Sequence, residues 1–297
     1  MALLPFALLG PALAREFPAP IDATTSLLVV SPHPDDETLC CAGVIQRVHA
    51  AGGRVSVVWI TSGEGSVLSR LIVQKTLLAS REKRHELATL RMQEARTATS
   101  LLGVSNSQQF FLGYPDGGVS DRLRDRSLER DFITVLEQVH PTLILAPSPK
   151  DTHPDHRAAG MLSIAVLTRR GELAQARFWI VHGGEGWPSP REYMPYIPLT
   201  VPTTGRDLHW STFDLTDTEE TGKRAAIDAY RSQLQVMTPF LVSFVRTNEL
   251  YASPLGIPSL AAQLSPLGIP SPLGIPSLAA QSSLAAQSSL AAQSSPP

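Results

Sequence analysis

The 297-residue chain has no surplus of charge of either sign. Its 25 lysine and arginine residues are balanced by 27 aspartate and glutamate residues, which gives a formal net charge of −2. Proteins that bind nucleic acid carry a clustered basic surface, and no such cluster is visible. The sequence also contains no apolar run of roughly 18 residues, the length that a membrane-spanning helix needs. We therefore expect neither a nucleic-acid partner nor an integral membrane span.

Two further absences narrow the class of protein. The only cysteines, Cys40 and Cys41, are adjacent, and adjacent Cα atoms lie closer together than the separation of about 4.4–6.8 Å that a disulfide usually has. We therefore expect no bridge between them and no disulfide scaffold. No Gly-x-Gly-x-x-Gly segment follows the first apolar strand, which argues against a dinucleotide-binding protein.

The two ends of the chain differ in composition from its middle. Residues 1–23 form an apolar leader, and the Ala-Leu-Ala at 12–14 fits the cleavage site of a signal peptide, although no Lys or Arg precedes it. Export through this atypical signal peptide and a cytoplasmic location both stay open. Residues 253–297 hold no charged or aromatic side chain and repeat the units SPLGIP and SLAAQ. We expect a disordered low-complexity tail there, which leaves one domain over residues 24–252.

The middle of the chain alternates apolar strands with helical patterns. Strands that are apolar throughout, each followed by a helix, predict an α/β fold with a parallel sheet covered on both faces. The predicted strands are Leu27–Ser31, Val55–Thr61, Gln109–Leu112, Leu143–Ala146 and Phe178–His182. The predicted helices are Thr38–Ala51, Arg81–Leu102, Ser127–Val139, Asp155–Arg169 and Asp217–Gln235.

Two short strings of histidine and acidic residues stand where predicted strands end. The first is the segment from His33 to Glu37 (HPDDE), directly after an apolar run. The second is the segment from Asp151 to His156 (DTHPDH), directly after another. In open parallel sheets, ligands bind outside the carboxyl ends of the strands, where the strand order reverses. The two strings therefore predict two halves of one site.

The residue types in these strings suit a single divalent metal. Catalytic zinc takes nitrogen from histidine and oxygen from carboxylate, and it keeps one position for water. His33 and Asp36 are three residues apart across a strand-to-helix turn, so both can face one ion, and His156 can supply the third ligand. Asp35 lies beside a ligand and is placed to take a proton from water whose pKa the metal lowers.

Two residues of the second string remain for the later steps of a hydrolysis. His153 is free to stabilise or protonate a developing tetrahedral species. Asp155 could hold the His153 ring, as carboxylates behind a metal site often do. Short strings of this kind are more often helix caps or turns when they occur alone. Capping does not require histidine, however, and here three histidines flank the aspartates.

Two other classes of function stay open at this point. Two histidines and one carboxylate also form the facial triad of non-haem iron oxygenases, although those triads usually lie on β-barrels and this pattern alternates strands with helices. A non-enzymatic, exported metal- or glycan-binding protein is the second alternative. The presence of Asp35 argues against both, because a spare carboxylate beside a ligand serves hydrolysis.

The chain resembles the PIG-L/LmbE-like metal-dependent N-deacetylases, which act mostly on N-acetylglucosaminyl compounds. The resemblance covers about residues 24–236 and preserves the order and spacing of the family's motifs. The segments that carry it are Pro32–Glu37, Thr61–Gly65, Arg91–Ala95, Leu112–Gly117, Asp151–Arg157 and Tyr230–Gln233.

This resemblance implies a fold, a reaction and a set of residue roles. The fold is a Rossmann-like three-layer sandwich, and the reaction is hydrolysis of an N-acetyl amino sugar with zinc or, as an alternative native metal, iron(II). A hydrolase of a different amide stays open. The implied roles are metal ligation by His33, Asp36 and His156, base catalysis by Asp35, acid or electrostatic catalysis by His153 with Asp155, and substrate contact by Arg91, Asp116 and Glu64.

Some of these residues also have simpler interpretations. Arg91 and Glu94 stand one helical turn apart and could form an ordinary surface pair. Asp116 precedes a glycine and suits a turn. His182, at the end of the last predicted strand, could face the site, but we expect it to be a structural histidine.

Overall fold

The computed structural model describes residues 15–17, 20–76 and 80–254. Most of the predicted leader and nearly all of the repeat tail lie outside these residues, so the disorder expected for the tail and the cleavage expected for the leader stay predictions.

The described residues form one mixed sheet and eight α-helices. The strands are β1 (Arg15–Glu16), β2 (Ser26–Ser31), β3 (Arg54–Thr61), β4 (Gln109–Tyr114), β5 (Leu143–Pro147), β6 (Ala176–Trp179), β7 (Trp210–Asp214) and β8 (Asn248–Ala252). The helices are α1 (Asp36–Ala50), α2 (Val67–Val73), α3 (Arg81–Leu101), α4 (Val119–Arg124), α5 (Ser127–Val139), α6 (Pro154–Arg170), α7 (Asp217–Ala229) and α8 (Arg231–Val242).

The strand order places the two predicted half-sites side by side. The order is β1-β7-β8-β6-β5-β2-β3-β4, and only β8 runs antiparallel to its neighbours. The chain passes from β2 to β3 in one direction and from β5 to β6 in the other, so the order reverses between β2 and β5. Those two strands pair in parallel, with Leu27 opposite Leu143. The expected reversal point therefore lies where both motif strings begin.

Helices cover both faces of the sheet. Right-handed crossovers in opposite directions put α1 and α6 on opposite faces. In agreement, α1 and α3 pack against α7, while α4 and α5 pack against α6. Every residue of β2 and β5 is buried, which explains why these strands are apolar throughout. The predicted α/β fold with a mostly parallel sheet is confirmed.

Local sequence fixes where the helix after β5 begins and ends. Pro154 takes the first helical position, where its missing N–H costs nothing, and the Nδ1 atom of His153 accepts the backbone N–H of Asp155. Gly171 ends the helix in the left-handed conformation, with φ 72°. His156 therefore stands in the first turn of α6, directed towards the strand ends.

Two expectations about the chain are wrong. The predicted helix Asp217–Gln235 is two helices, because the backbone at Tyr230 leaves the helical conformation (φ −81°, ψ 59°). Tyr230 is fully buried and donates a hydrogen bond to Glu37, 193 residues earlier in the chain, so tertiary contacts decide this break. Cys40 and Cys41 are joined by a disulfide with Cα atoms 3.8 Å apart, outside the usual range on which the expectation rested.

The described residues show two further features. Arg15–Glu16, inside the predicted leader, pairs in parallel with β7. Among the described residues, no helix combines the length and the apolar character that crossing a bilayer requires.

Candidate metal centre and active site

The three predicted ligands meet at the ends of β2 and β5. His33 Nδ1 lies 3.2 Å from Asp36 Oδ2 and 3.2 Å from His156 Nε2, and the His156 Nε2 atom lies 3.1 Å from Asp36 Oδ2. All three side chains are buried. The three donor atoms thus form a nearly equilateral triangle, although His33 and His156 are 123 residues apart in the chain.

This triangle fits a small divalent cation. Zinc at about 2.1 Å from each of its ligands, with tetrahedral angles, holds those ligand atoms about 3.4 Å apart. Two imidazoles and one carboxylate are also the donor types that zinc and iron(II) accept. His153 lies close enough to His33 and His156 to join the same ion. The residues present therefore fit a metal centre.

The charges around the triangle favour a cation there. Burial lowers the pKa of His156, but the Asp36 and Asp151 carboxylates raise it to about 9. Burial raises the pKa of Asp36, but His156 and His33 hold it well below its usual range. The acidic surroundings thus stabilise positive charge at the ring nitrogen where a metal would bind.

Each candidate histidine ligand is oriented by carboxylates on its other nitrogen. His33 Nε2 lies 3.3 Å from Asp116 Oδ1 and 3.3 Å from Asp155 Oδ2. His156 Nδ1 lies 3.1 Å from Asp151 Oδ2. Carboxylates in this position fix the ring orientation and make the ligand nitrogen more basic.

Asp151 is a residue that sequence reasoning left without a role. Its carboxylate accepts backbone N–H groups from His153 (2.8 Å), Val181 (2.9 Å) and His182 (3.0 Å), in addition to its contact with His156. It therefore links the loop after β5 to the end of β6. The only sign of this role in the sequence is that Asp151 stands two residues before His153. The fold shows in addition that its side chain turns towards His156.

The contact expected between Asp155 and His153 is not present. The Asp155 carboxylate accepts the Gly117 N–H (2.7 Å) and the Val119 N–H (3.3 Å) and contacts His33. Because Asp155 stands one residue into α6, its side chain points towards the start of α4, while its backbone N–H serves His153. Asp155 thus supports a candidate ligand rather than His153.

Asp35 combines backbone strain with burial. Its φ of 120° lies in the region that side chains rarely adopt, a feature that clusters at functional sites. Burial raises the pKa of Asp35 to about 8, although the nearby Arg91 guanidinium opposes the rise. Arg91 Nη2 lies 3.3 Å from Asp35 Oδ2.

Arg91 points into the site and is not a surface residue. Its Nη2 atom donates to the carbonyl of Pro34 (2.9 Å) and its Nη1 atom donates to the carbonyl of Gly63. Gly63 has φ 67°, and a Cβ at this position would collide with the guanidinium. Glu94 does not pair with Arg91 as a surface ion pair. It accepts the backbone N–H of Ser232 (2.7 Å) at the start of α8.

Asp116 and Glu64, the other residues predicted to contact substrate, lie beside His33. Asp116 accepts the Gly65 N–H at 2.9 Å. Burial raises the pKa of Asp116, but the hydrogen bond with His33 and its charge bring it below the usual range. The Glu64 Oε1 atom accepts the backbone N–H of Asp116 at 3.1 Å. Both residues therefore shape the wall beside His33, and their contact with substrate stays a prediction.

A buried carboxylate behind the first string holds that loop in place. Glu37 is fully buried and accepts hydrogen bonds from Trp59 Nε1 (2.8 Å), Thr38 Oγ1 (2.8 Å), the Asp35 N–H (3.3 Å) and the Tyr230 hydroxyl. Its position is thereby tied to the strained residue Asp35. The roles proposed for the site depend on this support.

Comparison with known proteins identifies the family. The model of the family described as PIG-L: GlcNAc-PI de-N-acetylase matches residues 28–167, which contain both motif strings. Diacetylchitobiose deacetylase of Thermococcus kodakarensis is 27% identical over 155 residues, covering 51% of this chain and 52% of the relative. The probable N-acetyl-alpha-D-glucosaminyl L-malate deacetylase 2 of Bacillus anthracis is 30% identical over 183 residues, covering 58% of this chain and 75% of the relative.

The chain belongs to the PIG-L family. The match to this PIG-L chain spans about half the length of the Thermococcus relative and three quarters of the Bacillus relative. A solved structure of N,N'-diacetylchitobiose deacetylase from Pyrococcus horikoshii superimposes with a TM-score of 0.52 at 22% identity, covering 76% of the PIG-L chain and 82% of that protein. This likeness confirms the predicted fold of the family.

Proposed function

We propose that the protein is a metal-dependent hydrolase that removes the acetyl group from an N-acetylglucosamine-type sugar or glycoconjugate, releasing acetate and a free amine. The observation that carries this proposal is the triangle of His33, Asp36 and His156 beside the strained Asp35, in a chain of the PIG-L family. The relatives named above are deacetylases of N-acetylglucosamine-type compounds.

Zinc is the proposed metal, with iron(II) as the alternative. The histidine and carboxylate donors suit both ions, and zinc needs no redox partner. When bound, the metal would polarise the amide carbonyl and lower the pKa of a water molecule at its open position. His33, Asp36 and His156 would hold it, and Asp116, Asp155 and Asp151 would orient the two rings.

Asp35 is the proposed base. A general base works best when its pKa lies near the working pH, and burial brings the pKa of Asp35 to about 8. A divalent cation held by the adjacent Asp36 would lower this value towards neutrality. Asp35 then takes a proton from the attacking water and returns it to the nitrogen of the leaving amine.

His153 is the proposed donor to the oxyanion. Burial and the neighbouring histidines lower the pKa of His153 to about 4, so its ring is neutral at pH 7. Because Nδ1 accepts the Asp155 N–H at 3.3 Å, the proton of the neutral ring lies on Nε2. An imidazole N–H so placed stabilises negative charge on the carbonyl oxygen. Arg91 has a different proposed role, because it positions Asp35 and stabilises its ionised form.

An acetate-release screen tests this function. The purified chain, supplied with zinc or with iron(II) under anaerobic conditions, is incubated with a panel of N-acetyl sugars and glycosides. We expect acetate from at least one glucosaminide and none from the Asp35→Ala variant with its metal still bound. A folded, metal-replete protein that releases no acetate from any member contradicts the proposal. Turnover that instead requires oxygen and 2-oxoglutarate supports the iron oxygenase alternative.

A further inference from the structure

His182 lies in the site although the sequence predicted a structural histidine. Its ring centroid lies 4.7 Å from that of His156 and 5.1 Å from that of His153. It follows β6, the strand next to β5, so the same sheet edge that gathers the ligands also brings it there. No part of the proposed reaction uses this side chain.

One nitrogen of His182 is turned inwards, and part of the ring is accessible. His182 Nδ1 is buried and lies 3.3 Å from Asp151 Oδ1, an ion-pair distance without the alignment of a good hydrogen bond. The side chain as a whole is 33% exposed. Of the two ring nitrogens only Nδ1 is a buried atom without a hydrogen-bond partner, so we take the exposed part to be the side of the ring that carries Nε2.

Neighbouring groups hold this ring in one orientation. Phe240 stacks on it with centroids 5.7 Å apart and an angle of 23° between the planes. Asp151 accepts the backbone N–H of His182 at 3.0 Å. The stacked ring and the fixed backbone restrict the rotamers of His182, so less entropy is lost when its ring binds a ligand.

We propose that His182 is a substrate-binding residue whose Nε2 atom accepts a hydrogen bond from a hydroxyl group of the amino sugar. This inference rests on the proposed function, because it takes the sugar to be an N-acetylated hexosamine. With Nδ1 facing the Asp151 carboxylate, the neutral ring carries its proton on Nδ1 and presents a lone pair at Nε2.

The position of His182 suits a hydroxyl of the same sugar ring whose amide reacts. The reacting amide must lie against the His33–Asp36–His156 triangle, and His182 contacts one member of that triangle. A hexosamine carries free hydroxyls within a few ångströms of its acetamido group. A pocket that pairs with a hydroxyl rejects the analogue that lacks it, because the pocket's own polar group is left unpaired.

A binding cycle between protein and ligand variants tests this contact without turnover. The background is the zinc-loaded Asp35→Asn variant, since Asn tolerates positive φ. Calorimetry measures its affinity for methyl N-acetyl-β-glucosaminide and for the 3-, 4- and 6-deoxy analogues. The measurements are repeated with His182→Ala, with His182→Gln and with the exposed His85→Ala as the matched control.

When His182 is present, we expect one deoxy analogue to bind about tenfold more weakly than the parent glycoside. In the His182→Ala variant, that analogue and the parent glycoside should bind equally well. His182→Gln, whose side-chain oxygen reaches the position of Nε2, retains part of that difference, and His85→Ala retains all of it. The inference is overturned if the affinity of each deoxy analogue relative to the parent glycoside is the same in all variants. It is also overturned if the glycoside shows no measurable binding. Acetate release by the unsubstituted enzyme is scored separately, so the proposed function can stand or fail independently of this result.

Discussion

The two loops that supply the candidate ligands are held in place in different ways. The loop after β2 depends on distant parts of the chain, because Glu37 beneath it is hydrogen bonded to Trp59 on β3 and to Tyr230 between α7 and α8. The loop after β5 is supported mainly by its own Asp151, which accepts backbone N–H groups within the loop and at the end of β6. The first loop carries two candidate ligands, His33 and Asp36, and the strained residue Asp35 that is the proposed base, while the second supplies the candidate ligand His156 from the first turn of a regular helix.

This difference implies two kinds of sensitivity. Substitutions far from the first loop should alter the proposed base Asp35 without moving His156, the candidate ligand of the second loop. Substitutions of Asp151 should loosen the metal while leaving the strained residue Asp35 in place.

The largest expected effect belongs to the first loop. Asp35→Asn keeps the size of the side chain and removes the base, so we expect acetate release to fall about 10³-fold with zinc content unchanged. Mass spectrometry of the native protein and a coupled acetate assay check both quantities. Asp121→Asn, on the exposed face of α4, serves as the control, and a turnover that survives in Asp35→Asn would contradict the assigned base.

Asp151→Asn gives the next largest effect and acts on the second loop. An amide cannot provide the same carboxylate contact with His156 Nδ1, so we expect zinc affinity to fall about 10–100-fold. Competition with a chelating dye measures this affinity. If zinc affinity matches that of the unsubstituted protein, Asp151 does not orient His156.

Tyr230→Phe probes the distant support of the first loop. Glu37 loses one buried hydrogen bond, and we expect the free energy of unfolding to fall by about 1–2 kcal/mol. Urea denaturation measures the change. Acetate release should fall by a larger factor than zinc affinity, because Glu37 is hydrogen bonded directly to the backbone of Asp35, and an equal loss in both would show that the variant does not act mainly through Asp35. Tyr114→Phe, whose hydroxyl contacts the exposed Asp131, is the matched control.

The smallest effect is expected at the start of α8. Glu94→Gln weakens the capping of Ser232, and we expect a loss of about 1 kcal/mol in the free energy of unfolding. Thermal denaturation with and without zinc detects it. Glu86→Gln, on the exposed part of α3, provides the control, and identical midpoints for the two variants would argue against a capping role.

Local sequence patterns were sufficient to predict that the two motif strings come together in the fold. His33, Asp36 and His156 follow strands that are apolar throughout, and parallel strands place their carboxyl ends at one edge. The order of β2 and β5 in the sheet then brings the two strings together. The β-α alternation is a local signal as well, which is why most of the elements and the parallel sheet were predicted.

Other features depend on contacts that no local pattern reveals. The break at Tyr230 is set by Glu37, 193 residues away, and the inward direction of Arg91 is set by the carbonyls of Pro34 and Gly63. The Asp155 carboxylate turned to His33 instead of His153 because Gly117, in the turn before α4, and Val119, the first residue of α4, offer it their backbone N–H groups. The short strands β1, β7 and β8 lack a continuous apolar run and were not predicted.

The division of the chain into leader, domain and tail, and the location of the protein in the cell, stay predictions. The described residues extend from Arg15 to Pro254 with two short gaps. Mass spectrometry of the N-terminus of the protein from its native host would show whether cleavage follows residue 14.

The proposed site separates candidate metal ligands in two loops from a proposed base, Asp35, that binds no metal, and one measurement tests this separation directly. Zinc content per chain and acetate release are determined together for the unsubstituted protein, His156→Ala and Asp35→Asn. We predict one zinc per chain in the unsubstituted protein and in Asp35→Asn, a loss of most zinc in His156→Ala, and acetate release by the unsubstituted protein alone. A His156→Ala protein that keeps its full zinc content and its turnover would contradict the account.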